Sequence, residues 1–184
     1  MGKRGRKKKD SPEGMLLETL EITDQDGKVI GLLSRGQIHE QKLFHKAVHV
    51  FLFNPEGKIY LQKRSRLKDE NPGKWDSSAS GHVSPGEPYS VAARRELKEE
   101  LGLLCGLSEV GRLPASPETS YEFVVLFKGT TRKSPKPNPL EIEEGRFVDP
   151  AELEEWLAKK PQDFTPTFRL LWEKFGKQLV PRKH

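Results

Sequence analysis

The sequence lacks long apolar runs and contains a single cysteine. No uninterrupted apolar stretch approaches the roughly eighteen residues of a membrane-spanning helix, and none near the start has the character of a signal-peptide core. The one cysteine, Cys105, cannot form a disulfide within the chain, and its leucine-rich surroundings favour an inert buried thiol over a nucleophile. We therefore expect a soluble, cytoplasmic protein with no membrane partner.

Outside its first residues the sequence also lacks an excess of either charge. The formal net charge is +5, and residues 1–10 alone supply it, with six basic residues and one acid. A basic block of this kind has no apolar surface to bury, so we predict a disordered tail over residues 1–14 and one folded domain over residues 15–184. Nucleic acid could bind only through the tail, because the balanced remainder gives no basic face.

One segment, Gly81 to Leu103, organises the chain. Pro88 fits the first turn of a helix and Gly102 fits the position just after its end, so the segment predicts a helix of about fourteen residues. On that helix three carboxylates share an arc of about 100°, beside an apolar arc that can pack on a core. The carboxylates are those of Glu96, Glu99 and Glu100.

Three like charges on adjacent turns repel one another, so the helix needs compensating charge. Arg95 can pair with Glu99 four residues later, but one guanidinium cannot neutralise three carboxylates. Mg²⁺ (or Mn²⁺) would do so, because these ions prefer carboxylate oxygens and keep positions that a phosphate can occupy. The other interpretation, a solvated charged helix face, is the usual meaning of such a run.

The rest of the chain alternates short apolar runs with turns and a few helical patterns. Nearly continuous apolar character in residues 45–54 indicates a central strand that is covered on both faces. Helical patterns follow at 150–159 and 165–177. Strands in the middle with helices at several points predict an α/β fold with a mixed sheet between helices.

The segment Gly81–Leu103 also matches a known signature at every position. Its pattern G-x5-E-x7-R-E-L-x-E-E-x-G-L resembles the box of the Nudix hydrolases, which cleave nucleoside diphosphates linked to another group. The resemblance covers roughly residues 16–160 and implies a Nudix-type α/β/α sandwich. It also implies metal binding by the box carboxylates and a small diphosphate as substrate, and it leaves a homodimer possible. The implied metal ligands are Glu87, Glu96, Glu99 and Glu100, with Arg95 orienting them.

Within that family, the stretch from His45 onward is similar to the type I isopentenyl-diphosphate isomerases. The shared features are Leu43-Phe44-His45, the pair Arg64 and Lys68, Pro72-Gly73-Lys74-Trp75, and the triplet Ser80-Gly81-His82. The resemblance implies that Arg64 and Lys68 contact the diphosphate. It also matches His45 and His82 to metal ligands, with His39 near a third; structural roles for these histidines stay equally open.

The triplet departs from the isomerases where their chemistry needs a thiol. Ser80 stands in place of that cysteine, and a serine hydroxyl is too weak an acid to replace it without an adjacent base. We therefore expect a hydrolase in which water attacks phosphorus. Two alternatives remain: a proton-transfer enzyme of the isomerase type, and a non-catalytic nucleotide- or RNA-binding module. Candidates for the general base are Glu99, Glu100, Glu122, Glu141, Glu143 and Glu144, of which strand-borne Glu122 matches an isomerase glutamate.

Overall fold

A computed structural model describes residues 11–180. In chain order its helices are α1 Pro12–Leu16, α2 Arg35–Glu40, α3 Tyr89–Leu101, α4 Pro150–Lys159 and α5 Pro166–Leu171, the last continuing through a π-helical turn, Trp172–Gly176, to Leu179. Its strands are β1 Thr19–Thr23, β2 Val29–Ser34, β3 His45–Phe53, β4 Ile59–Arg64, β5 Trp75–Asp76, β6 Ala79–His82, β7 Leu107–Leu113, β8 Glu122–Thr130 and β9 Ile142–Val148. Among the described residues, no helix is long and apolar enough to cross a bilayer.

Seven strands form one mixed sheet, and β1 and β2 form a separate antiparallel hairpin. In the sheet β3 is central: it pairs in parallel with β8 over its whole length, and antiparallel with β6 over one half. The other pairs are antiparallel. The parallel pair places His45 of β3 directly beside Glu122 of β8.

The two faces of β3 pack against different helices, as the continuous apolar run predicts. Even-numbered side chains such as Val48 and Val50 join a core with Ala93 and Leu97 of α3. Odd-numbered Phe51 lies in a second core with helices α4 and α5. On that second face, residues 45, 47 and 49 precede the aromatic core, and Ala47 and His49 line a cavity instead. The predicted α/β/α sandwich with a mixed sheet is confirmed.

Helix α3 follows its predicted course. It ends at Gly102, whose φ of 64° is the left-handed conformation that glycine adopts without strain, and whose N–H donates to the Lys98 carbonyl at 3.0 Å. Pro88 lies at the N-cap and not inside the first turn, so the helix has thirteen residues. Its buried side chains include Leu97 and Leu101, and its carboxylates face the strand β6.

The predicted boundary between tail and domain needs one adjustment. Helix α1 begins at Pro12, inside the segment assigned to the tail, and the Ser11 side chain caps it by accepting from the Gly14 N–H at 3.0 Å. The basic residues 1–10 lie outside the described part of the chain, so the prediction that they are disordered stays a prediction.

Candidate metal centre and diphosphate site

Strand β6 separates two groups of side chains that could hold metal ions. Its alternation directs Gly81 toward helix α3, and directs Ser80 and His82 to the other face of the sheet. The carboxylates of α3 therefore lie behind one face of β6, and a group of histidines lies on the other. The two groups adjoin at His82.

The geometry of the box depends on Arg95. Its guanidinium donates to both oxygens of Glu87, at 2.8 and 2.9 Å, to the His82 carbonyl at 2.9 Å, and to Glu96. A weaker contact at 3.5 Å reaches Glu99. Arg95 thus ties the loop before α3 to the helix face, and its predicted role in orienting the carboxylates toward a metal stays a prediction. Both oxygens of Glu87 accept from this guanidinium, and the role of Glu87 as a metal ligand stays a prediction.

Glycine is required at position 81 because the Glu96 carboxyl group occupies the space that a Cβ would take. Deeper in the same group, the Glu100 carboxylate accepts from the Gln62 amide at 2.7 Å and faces the Ser80 N–H at 3.4 Å. Burial raises the pKa of Glu100 to about 8, with the nearby carboxylates adding to the shift and Lys68 opposing it. This is a carboxylate that a cation would stabilise.

The second group brings together His39 of α2, His45 of β3, His82 of β6 and Glu122 of β8. One ligand atom from each lies within 4.8 Å of the others. His82 Nε2 is 3.3 Å from Nε2 of both His39 and His45, and 3.0 Å from Glu122 Oε1. Three imidazole nitrogens and one carboxylate oxygen therefore converge on one point.

The outer contacts of these rings fit metal ligation. His45 Nδ1 lies 2.9 Å from the Leu43 carbonyl and His39 Nδ1 lies 2.7 Å from the Asp69 carboxylate, so these contacts favour the tautomer that carries its proton on Nδ1 and keeps a lone pair on Nε2. Lone pairs pointed at one another repel. A tetrahedral ion bound at about 2.05 Å would keep its ligand atoms about 3.4 Å apart, close to the distances here. The donor set fits a divalent metal.

The ionisation states of the group support this interpretation. Burial lowers the pKa of His82 well below its usual value, which keeps the ring neutral. Burial would raise the pKa of Glu122, but the hydrogen bonds and charges of His45 and His82 hold it well below its usual range. Burial also lowers the pKa of His45, yet the contact with Glu122 outweighs it and raises that pKa overall. A bound cation would take the place of the proton that the Glu122 carboxylate favours on His45 Nε2.

Cationic side chains lie at the walls of the cavity, each with an acidic partner. Arg64 contacts Asp76 at 3.3 Å, Lys68 contacts Glu141, and Arg35 contacts Asp69 at 2.8 Å. Arg64 and Lys68 line the cavity, and their predicted contact with a diphosphate stays a prediction. With so many carboxylates in place, these cations alone would not neutralise a diphosphate. A diphosphate bound in this cavity would need metal ions as well.

Sequence reasoning located some of this site and missed the rest. It found the box residues, Arg64, Lys68 and Glu122, and it named the three histidines without deciding their role. It missed Arg35, whose buried Nε has no hydrogen-bond partner among the described residues, and Asp69, which holds both Arg35 and His39. Of the other base candidates, Glu143 and Glu144 are exposed on β9, away from the histidines.

This chain belongs to the Nudix family, because residues 43–168 match the NUDIX domain. It is 40% identical over 150 residues to an isopentenyl-diphosphate Delta-isomerase from Streptomyces griseus, covering 77% of this chain and 76% of that protein. It is 34% identical over 154 residues to the isomerase of that name from Nocardia farcinica, covering 80% and 88%. A crystal structure from Deinococcus radiodurans is similar with a TM-score of 0.68 and 26% identity, covering 77% and 90%.

These similarities correct the prediction of a hydrolase. The relatives from Streptomyces griseus and Nocardia farcinica carry the name of isomerases, which favours the proton-transfer alternative over attack of water on phosphorus. The prediction went wrong because it took the missing thiol at Ser80 as decisive. It gave too little weight to the histidines, which the sequence leaves far apart and the fold brings together.

Proposed function

We propose that this chain is a metal-dependent enzyme that moves a carbon–carbon double bond in an isopentenyl-type diphosphate by proton transfer. The observation that carries the proposal is the convergence of His39, His45, His82 and Glu122 beside the cavity, which His82 and Glu122 line. A nitrogen-rich metal centre is not needed to hold a diphosphate, for which carboxylate ligands suffice. The nitrogen-rich group beside the carboxylate helix therefore supports chemistry at the hydrocarbon part of the substrate, away from the diphosphate.

Each of the two groups of ligands would hold its own metal ion. Glu96, Glu99 and Glu100 would hold Mg²⁺ (or Mn²⁺), with Glu87 fixing Arg95 behind them, and Lys68 beside them would contact the diphosphate. The histidines and Glu122 would hold a second divalent ion, which supplies positive charge at the deeper end of the cavity. Imidazole ligands suit zinc or iron better than magnesium.

Glu122 is also the residue we assign to proton transfer. It contacts His45 and His82 through Oε1, so its second oxygen can exchange a proton with carbon while the first is held. The reaction needs a proton added at one carbon and another removed two carbons away, with the diphosphate unchanged. A second acid/base group must therefore face the substrate.

Conversion of isopentenyl diphosphate to its allylic isomer, followed by proton NMR in the presence of Mn²⁺ or Zn²⁺ with Mg²⁺, tests the proposal. We expect turnover by the wild type and none with excess chelator. Glu122→Gln should lower kcat by about 10³-fold or more, since it removes both a ligand and a proton acceptor. Glu144→Gln, an exposed glutamate on β9, is the matched control and should retain full activity. Undiminished conversion in excess chelator would contradict the proposal.

A further inference from the structure

The cavity wall beside the metal centre carries a fourth described histidine that the ligand group does not use. His49 lies on β3, on the same face as His45 and Ala47, and it lines the same cavity. In the antiparallel pairing with β6 it stands directly opposite Ser80, while Ala47 stands opposite His82. Side chains opposite one another on a sheet face have Cβ atoms about 5 Å apart.

The spacing of these two pairs suits a small substrate. His82 belongs to the metal centre, and the pair His49–Ser80 follows one pleat later, roughly 7 Å along the strands. Ala47 lies between His45 and His49, and its small methyl group leaves space in the cavity at that point. A chain of a few carbons lying over Ala47 would have the metal centre at one end and His49 at the other.

The His49 ring is fixed by an anchor that plays no part in metal binding. Nδ1 lies 2.8 Å from the Ser77 hydroxyl and 3.6 Å from the Asp76 carboxylate. Asp76 is itself held by the Ser77 N–H at 2.7 Å and by Arg64 at 3.3 Å. The carboxylate favours a proton on Nδ1, which leaves Nε2 as the nitrogen that can exchange a proton with a bound molecule.

We propose that His49 is a catalytic residue, the acid/base group that exchanges a proton with a substrate carbon through Nε2 at the wall formed with Ser80. This inference rests on the proposed function. His49 also supplies the acid that Ser80 cannot. A serine hydroxyl is too weak an acid for the step, whereas the imidazole of His49, on the strand opposite Ser80, is acidic enough when protonated.

The step balances with His49 and Glu122 as partners. The alkene π electrons take a proton from the His49 imidazolium to form a C–H bond at the terminal carbon. The C–H bond two carbons away breaks, its proton passes to the Glu122 carboxylate, and its electrons form the new double bond. Proton exchange with water resets both groups, and the reverse reaction uses them in exchanged roles.

The charged groups around His49 suit this role. Burial lowers the pKa of His49, with Asp76 of β5 and Glu122 of β8 opposing the shift and Arg64 of β4 adding to it. The neutral ring therefore predominates near neutral pH, and the imidazolium that forms by taking up a proton from water is a stronger acid than an exposed one, as protonation of an alkene carbon demands.

His49→Gln tests the inference, because the amide occupies similar space and cannot carry the proton. We expect kcat for isomerisation, and deuterium uptake at carbon from D₂O, to fall about 10²- to 10⁴-fold. Bound metal and the KM for isopentenyl diphosphate should change by less than threefold, since His49 is not a ligand. Glu144→Gln, an exposed glutamate on β9, is the control and should retain full activity. His49→Asn serves as the second variant if His49→Gln does not fold.

A rescue variant makes the test sharper. His49→Gln combined with Ser80→Cys places a thiol on the facing strand, and we expect at least tenfold recovery over His49→Gln with unchanged metal content. A folded His49→Gln or His49→Asn enzyme with kcat within threefold of wild type would overturn the role of His49 and leave the proposed function standing. So would a folded, metal-loaded double variant that recovers nothing. Absence of carbon exchange in the wild type would overturn the proposed function and this inference together.

Discussion

At the scale of single residues, Gly81 shows how closely the two halves of the site approach one another. Its missing side chain gives the Glu96 carboxyl group a place against β6. In Gly81→Ala the methyl group must displace Glu96 or the helix. We expect a loss of about 1–3 kcal/mol in the free energy of unfolding and weaker Mg²⁺ binding. Gly106→Ala, where a Cβ would meet no atom within 4 Å, is the control for both measurements.

Glu100 makes metal binding depend on pH. Its pKa of about 8 in the fold lies above the ordinary value of 4.5, so between these pH values the folded protein binds the extra proton. Without metal, stability therefore falls as pH rises through this window; bound metal needs the ionised form and should gain affinity over the same window. We expect the rise in Tm caused by Mg²⁺ to be larger at pH 8 than at pH 6. Glu100→Gln should remove most of that difference, and an unchanged difference would contradict this assignment.

At the scale of elements, the short helix α2 supports the metal centre. It carries His39 and Arg35, and a reciprocal cap starts it: Ser34 accepts from the Gln37 N–H, and the Gln37 side chain accepts from the Ser34 N–H. Ser34→Ala should cost about 1 kcal/mol of stability and loosen His39. We expect severalfold weaker binding of Zn²⁺ or Mn²⁺ by calorimetry. Asp149→Ala removes a similar cap from α4 and should cost stability without changing metal affinity.

The elements also show what the sequence could predict. Helix α3 was predictable with its carboxylates and Arg95, because its signals are local: a proline, a glycine and a fixed spacing. The metal centre was not. His45 and Glu122 are 77 residues apart in the chain and meet only through the parallel pairing of β3 with β8. No local pattern indicates that pairing, nor that Ser80 faces His49.

At the scale of the whole molecule, charge is divided between the first ten residues and a balanced remainder. We propose that residues 1–10 take no part in catalysis. Their deletion should leave kcat/KM on isopentenyl diphosphate within twofold of the full chain. The deletion should stop before Ser11, because the Ser11 hydroxyl caps α1. A large loss would show instead that the basic segment reaches the substrate.

The central claim is that the enzyme moves protons on carbon and leaves the diphosphate intact. One reaction in water labelled with both deuterium and ¹⁸O tests it, with isopentenyl diphosphate and both classes of metal ion present. Mass spectrometry of the products should find deuterium on carbon in the isomerised diphosphate and no ¹⁸O in any phosphate. Phosphate carrying ¹⁸O, with no deuterium on carbon, would contradict the account.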